Sequence, residues 1–141
     1  MKKKDVFISI VGKQTAENES ETSELYTNGT FYKDKDVYYI SYNETQASGF
    51  DGCRTVVKAT GEDKIIMMRS GPSQAHLVME NQRRCIGEYG VDGRRFTIGV
   101  TTEEIQNKLD ESGGTLFFRY LLDLNAQSLS TNEVTITVQG Q

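Results

Sequence analysis

One histidine, one proline, two cysteines and no tryptophan occur in this chain of 141 residues. A lone His76 cannot build a histidine-rich metal site. Cys53 and Cys85 stand far from it and from each other, without close ligand spacing. No metal and no cofactor is expected, and His76 reads as an ordinary strand histidine. No Gly-x-Ser-x-Gly elbow is present to expose a nucleophilic serine. The run Gly87-x-x-Gly90-x-x-Gly93 lacks the lysine and the strand–turn–helix setting of a phosphate loop, and reads as a bulge plus a hairpin. Basic residues do not outnumber acidic ones: 16 Lys+Arg against 20 Asp+Glu give a net charge of -4. Neither nucleic acid nor an anionic membrane surface therefore finds electrostatic support as a partner. No stretch approaches the roughly 18 apolar residues of a membrane-spanning helix. The opening Met1-Lys2-Lys3-Lys4 resembles the start of a signal peptide, but the apolar residues 6–11 stop at Gly12-Lys13-Gln14 without a cleavage site. A cytoplasmic location is expected, with both cysteines reduced. There the sequon matches at Asn28 and Asn43 carry no meaning.

What remains is a cadence. Short runs of β-branched and aromatic residues alternate with polar ones, punctuated by Asn28-Gly29, Thr60-Gly61-Glu62-Asp63, Ser70-Gly71-Pro72, Asn81-Gln82 and Asp92-Gly93. Residues 5–14 put Val6, Ile8 and Ile10 on one face. Residues 15–23, with Glu17, Glu19 and Glu21, read as an exposed connection. Asn28-Gly29 is the strongest hairpin signal, with a bulge or barrel bend as its rival. Strands follow at 36–45, 53–60, 64–69, 74–80, 83–91, 94–101, 115–125 and 133–139. The one proline, Pro72, falls in a turn and interrupts none of them.

One segment has helical marks. Thr101 and Glu104 match a capping box, Ile105 and Leu109 lie four apart, Glu104 and Lys108 form an i,i+4 pair, and Gly113 or Gly114 supplies a stop. A short helix over 102–111 is expected. With most connections only two to five residues long, parallel crossovers are excluded and sequential strands pair antiparallel. A meander of this length curls closed or leaves two edges exposed. The expected fold class is all-β: one domain, residues 1–141, forming an antiparallel up-and-down β-barrel of roughly 8–10 strands.

The blocks Tyr38-Tyr39-Ile40-Ser41-Tyr42-Asn43-Glu44-Thr45, Gly49-Phe50-x-Gly52, Thr55-Val56-Val57-Lys58, Met68-Arg69-Ser70-Gly71, Glu88-Tyr89-Gly90 and Leu116-Phe117-Phe118-Arg119-Tyr120-x-Leu122 follow one another along nearly the whole chain. Together they resemble the YwiB-like bacterial family of unknown function. The resemblance implies a calycin-like barrel, similar in outline to lipocalins and fatty-acid-binding proteins, and no assigned activity.

Candidate functional residues are polar ones on the inward parity of apolar strands. Tyr38, Ile40, Tyr42 and Glu44 share a face. A buried carboxylate needs a partner, and Arg69, on the face of Ile65 and Met67, is the best placed; Arg54 and Arg119 are alternatives. Tyr42, Glu44, Arg69, Arg119 and Tyr120 are the candidate ligand-binding residues, with Glu44, Arg69, Tyr42 and Tyr120 expected at one barrel mouth. An ion pair tying strand ends together is the plainer account of the same residues. Met67, Met68 and Met79 could line a pocket or pack the core. Three functions compete. The first is binding of a small apolar or amphipathic molecule in a cavity lined by Tyr42, Met67, Phe96, Phe118 and Tyr120. The second is a structural or interaction module, with a filled barrel and a working outer surface that could form a homodimer. The third, ranked last, is an enzyme using Glu44 as acid or base. No residue is assigned a catalytic role.

Overall fold

A computed structural model describes residues 3–141; Met1 and Lys2 of the lysine-rich start lie outside the described residues. Ten strands run in chain order: β1 (Lys4–Ala16), β2 (Glu19–Asp34), β3 (Val37–Asn43), β4 (Arg54–Thr60), β5 (Lys64–Ser70), β6 (Ser73–Glu80), β7 (Arg84–Val91), β8 (Arg94–Asp110), β9 (Gly113–Leu124) and β10 (Gln127–Gly140). Each pairs antiparallel with its sequence neighbour, and β1 pairs with β10, so the sheet is a closed up-and-down barrel. Closure gives each of the ten strands two neighbours, the outcome that short hairpins between alternating strands favour.

Alternation sets what lies inside. Val6 and Ile8 of β1, Ile40 and Tyr42 of β3, Ile65 and Met67 of β5, and Leu116, Phe118, Tyr120 and Leu122 of β9 all point into one core. Connections at 35–36, 61–63, 81–83 and 111–112 form one end of the barrel; those at 17–18, 44–53, 71–72, 92–93 and 125–126 form the other. From its middle to the first end the interior is filled, with Phe31, Ile40, Ile65, Met79, Leu116 and Phe118 fully buried. The second end, the mouth of the barrel, is hollow.

The helix expected over 102–111 does not form; these residues continue β8 as strand. A β-bulge between Thr102 and Glu104 explains the misleading pattern. Before it Ile98, Val100 and Thr102 are buried, and after it Ile105 and Leu109 are. The extra residue, Glu103, moves the inward face from even to odd positions. Ile105 and Leu109, four apart, share a face in a strand as well as in a helix, and so do Glu104 and Lys108. The broken alternation and the four-residue spacing together imitate a helix.

The exposed connection expected at 15–23 is also strand. β1 and β2 stay paired as far as Ala16 and Glu19, and their turn is Glu17-Asn18, both at positive φ (51° and 66°). Asn28-Gly29 is not a hairpin but lies inside β2, where Gly29 pairs with Val6 on one side and Tyr42 on the other. A Cβ on Gly29 would collide with the Ser41 carbonyl oxygen and the Ile8 side chain. The glycine is needed for close approach of strands at a barrel bend, the rival expectation. Gly29→Ala is therefore expected to destabilise the fold by about 1–3 kcal/mol, the usual cost of overpacking. Urea denaturation would measure it, and an unchanged midpoint would show that the bend relaxes freely.

Candidate mouth cavity

One row of paired residues crosses the wall at the mouth. Tyr42 of β3 stands opposite Thr55 of β4, Thr55 opposite Arg69 of β5, Arg69 opposite Ala75 of β6, and Ala75 opposite Tyr89 of β7. Directly paired residues share a face of the sheet, so the row delivers a phenol, a hydroxyl, a guanidinium and a second phenol to the interior. Ala75, the smallest side chain of the row, leaves space between the arginine and Tyr89. Tyr120 arrives from β9, its ring stacked on Phe118 with centroids 6.0 Å apart. Glu44, at the end of β3, turns inward; its backbone N–H donates to Cys53 O at 2.8 Å, which starts the 44–53 connection.

That connection is a lid. Its 3-10 turn, Gln46–Ser48, is capped at the start by Thr45, whose hydroxyl accepts from Ala47 N, and at the end by Gly49 at φ 83°. Beyond it Phe50 lies face-on over the Arg69 guanidinium, 3.6 Å from Cζ to ring centroid, a cation–π arrangement that suits a partly desolvated arginine. Beneath the lid is a cavity of about 160 Å³, bounded by Tyr42, Glu44, Arg69, Met67, Tyr89 and Tyr120 and by apolar side chains of β1, β2 and β10.

The electrostatics centre on one pair. The Thr55 hydroxyl donates to Glu44 Oε2 at 2.5 Å. Arg69 Nε faces the same oxygen at 3.7 Å, with side chains only 12% and 4% exposed. At that distance the two charges attract but share no hydrogen bond, and Arg69 Nε finds no other acceptor among the described residues. The phenols remain protonated donors. Burial, and next the charge of Glu44, push Tyr42 far up from its ordinary value; burial, and next Tyr89, do the same to Tyr120. Burial also raises Tyr89, against the opposing pull of Arg69.

Of the five candidate residues, Tyr42, Glu44, Arg69 and Tyr120 meet at the mouth. Arg119 does not. It lies on the outer face of β9, where it donates to Glu104 Oε1 at 2.9 Å and Glu133 Oε2 at 3.1 Å. Arg54 likewise points outward, toward Asn43 and Ser41. Phe96 stands opposite Tyr89 but is about half exposed at the rim rather than lining the cavity. Phe118 and Met79 belong to the filled core, and Met68 lies on the opposite face of β5 from Met67. His76 is exposed. Among the described residues no group of three His, Cys, Asp or Glu could hold a metal ion. Thr55, Tyr89 and Phe50 join the site beyond the residues that the sequence singles out. Thr55 shares its parity with Val57 and Ala59, and Tyr89 with Cys85 and Gly87, a usable signal; Phe50 sits in a connection, where parity says nothing.

The comparisons agree with the architecture. YwiB of Bacillus subtilis (strain 168), described as an uncharacterized beta-barrel protein, is 27% identical over 120 residues, covering 85% of this chain and 82% of that one. The crystal structure of the ywiB protein from Bacillus subtilis matches the fold with a TM-score of 0.85 at 23% identity, over 99% of this chain and 93% of that one. The family model for a domain of unknown function, DUF1934, matches residues 8–136. That match runs from within β1 to within β10, and the chain belongs to the DUF1934 family.

Proposed function

We propose that this barrel, built on lipocalin-like lines, binds one small amphipathic molecule in the mouth cavity. The observation that carries the proposal is Arg69, a largely buried cation that borders an open volume and whose Nε has no hydrogen-bond partner among the described residues. A buried polar group without a partner costs roughly 1–3 kcal/mol, more when charged. A ligand acceptor at that point would remove the cost.

Size narrows the choice. Pockets for drug-sized ligands run about 300–1,000 Å³, whereas a cavity near 150 Å³ holds benzene. At about 160 Å³ the occupant is a small body with a short polar head, not a long acyl chain. Binding is favoured over catalysis because Glu44 is engaged by Thr55 and faces Arg69, so it serves to hold the arginine. The outer wall bears charged side chains such as Glu104, Arg119 and Glu133, the reverse of the apolar wall a membrane barrel turns to lipid.

Methyl NMR with benzyl alcohol as probe tests the proposal. The Met67 methyl is expected to shift saturably, and that of Met68, on the outer face of the same strand, to stay in place. Absence of a saturable Met67 shift up to the solubility of the probe would overturn it.

A further inference from the structure

The charges already present at the mouth restrict what head group can enter. We infer that the cavity selects a net-neutral head carrying an acceptor beside a donor, the pattern of a primary carboxamide; this rests on the mouth cavity being the ligand site.

Among the described residues three charged residues border the cavity, Arg69, Glu44 and Glu24. Glu24 is exposed, its carboxylate taken by the Tyr26 hydroxyl on the outer face, so the two inward charges, Arg69 and Glu44, balance. Tyr42, Tyr89 and Tyr120 add hydroxyls without charge. A carboxylate ligand would set two negative charges against one positive beside side chains largely removed from solvent. An ammonium or amidinium ligand would do the reverse. Either leaves a buried charge uncompensated. A neutral head keeps the balance and uses what is unspent. Its carbonyl accepts from the Arg69 guanidinium, which borders the cavity and whose Nε has no partner among the described residues. Its N–H donates to Glu44, whose carboxylate has about four lone-pair sites and receives the Thr55 hydroxyl at Oε2. Phe50 stacks on the guanidinium face, and the pair rests at 3.7 Å rather than closing into a bidentate salt bridge. The apolar remainder of the ligand would lie against Met67 and the side chains of β1, β2 and β10.

Benzamide, benzoate and benzamidinium have nearly the same shape and differ in charge. Titrated into the protein while the Met67 methyl is followed, benzamide should bind at least about tenfold more tightly than either ion, a difference of about 1.4 kcal/mol. In the double variant Glu44→Gln/Arg69→Met the three affinities should converge. Equal or tighter binding of benzoate or benzamidinium to the wild-type protein would overturn the inference while leaving the mouth cavity as a ligand site. So would silence from benzamide where benzyl alcohol binds. Silence from all four compounds would overturn both.

Discussion

Arg69→Met should lower stability by about 3–5 kcal/mol at neutral pH, the penalty for leaving a buried carboxylate without its counter-charge. The carboxylate concerned, Glu44, is 4% exposed at its side chain, and the Thr55 hydroxyl that donates to it carries no charge. Removing the carboxylate as well should reverse most of the loss. In Glu44→Gln/Arg69→Met the amide oxygen still accepts from Thr55, and no isolated charge remains. Urea denaturation of the single and double variants gives both numbers. A loss under about 1 kcal/mol in Arg69→Met would place the pair among solvent-screened ion pairs. It would mean that water reaches Glu44 through the lid.

Phe118→Ala is the other large change, at about 3–5 kcal/mol. Phe118 is completely buried and supports the ring of Tyr120 from below. It divides the filled part of the barrel from the mouth. The void left behind would open toward the cavity, so part of the effect should appear as altered selectivity, with a two-ring compound such as 2-naphthol entering where the wild-type protein is expected to take only one ring. Loss of stability without entry of the larger compound would show that neighbouring side chains collapse into the space.

The sequence carried the alternation clearly enough to place the barrel, its turns at 61, 71, 81 and 92, and the meeting of Glu44 with Arg69. Those features depend on period-two spacing within single strands, which a single chain displays. What it hid depends on relations between strands. The bulge at Glu103 is an offset between β8 and β9, and it converts a strand into an apparent helix on paper. Gly29 is a glycine because of what Ser41 and Ile8 do across the sheet, not because of its own dihedral angles, so its pairing with Asn28 suggested a turn. The true turn uses Glu17 and Asn18, and only asparagine commonly adopts that conformation. Arg119 fell on the wrong side of the wall for ligand contact because its attraction lay in its charge. Its strand parity, shared with Phe117 and opposite to Phe118 and Tyr120, already pointed it outward.

Joining β1 to β10, Val6 opposite Gly140 and Thr15 opposite Thr131, orders the events by which the chain can fold. Every other pairing links strands adjacent in sequence and can form as soon as its second strand emerges. The seam between β1 and β10 must wait for the last strand, and it closes the longest loop in the molecule. Until then β1 presents an unsatisfied edge, and it does so through most of synthesis. The vulnerable moment of this protein is therefore just before the ring shuts, and slow closure there would lead to edge-to-edge association between chains.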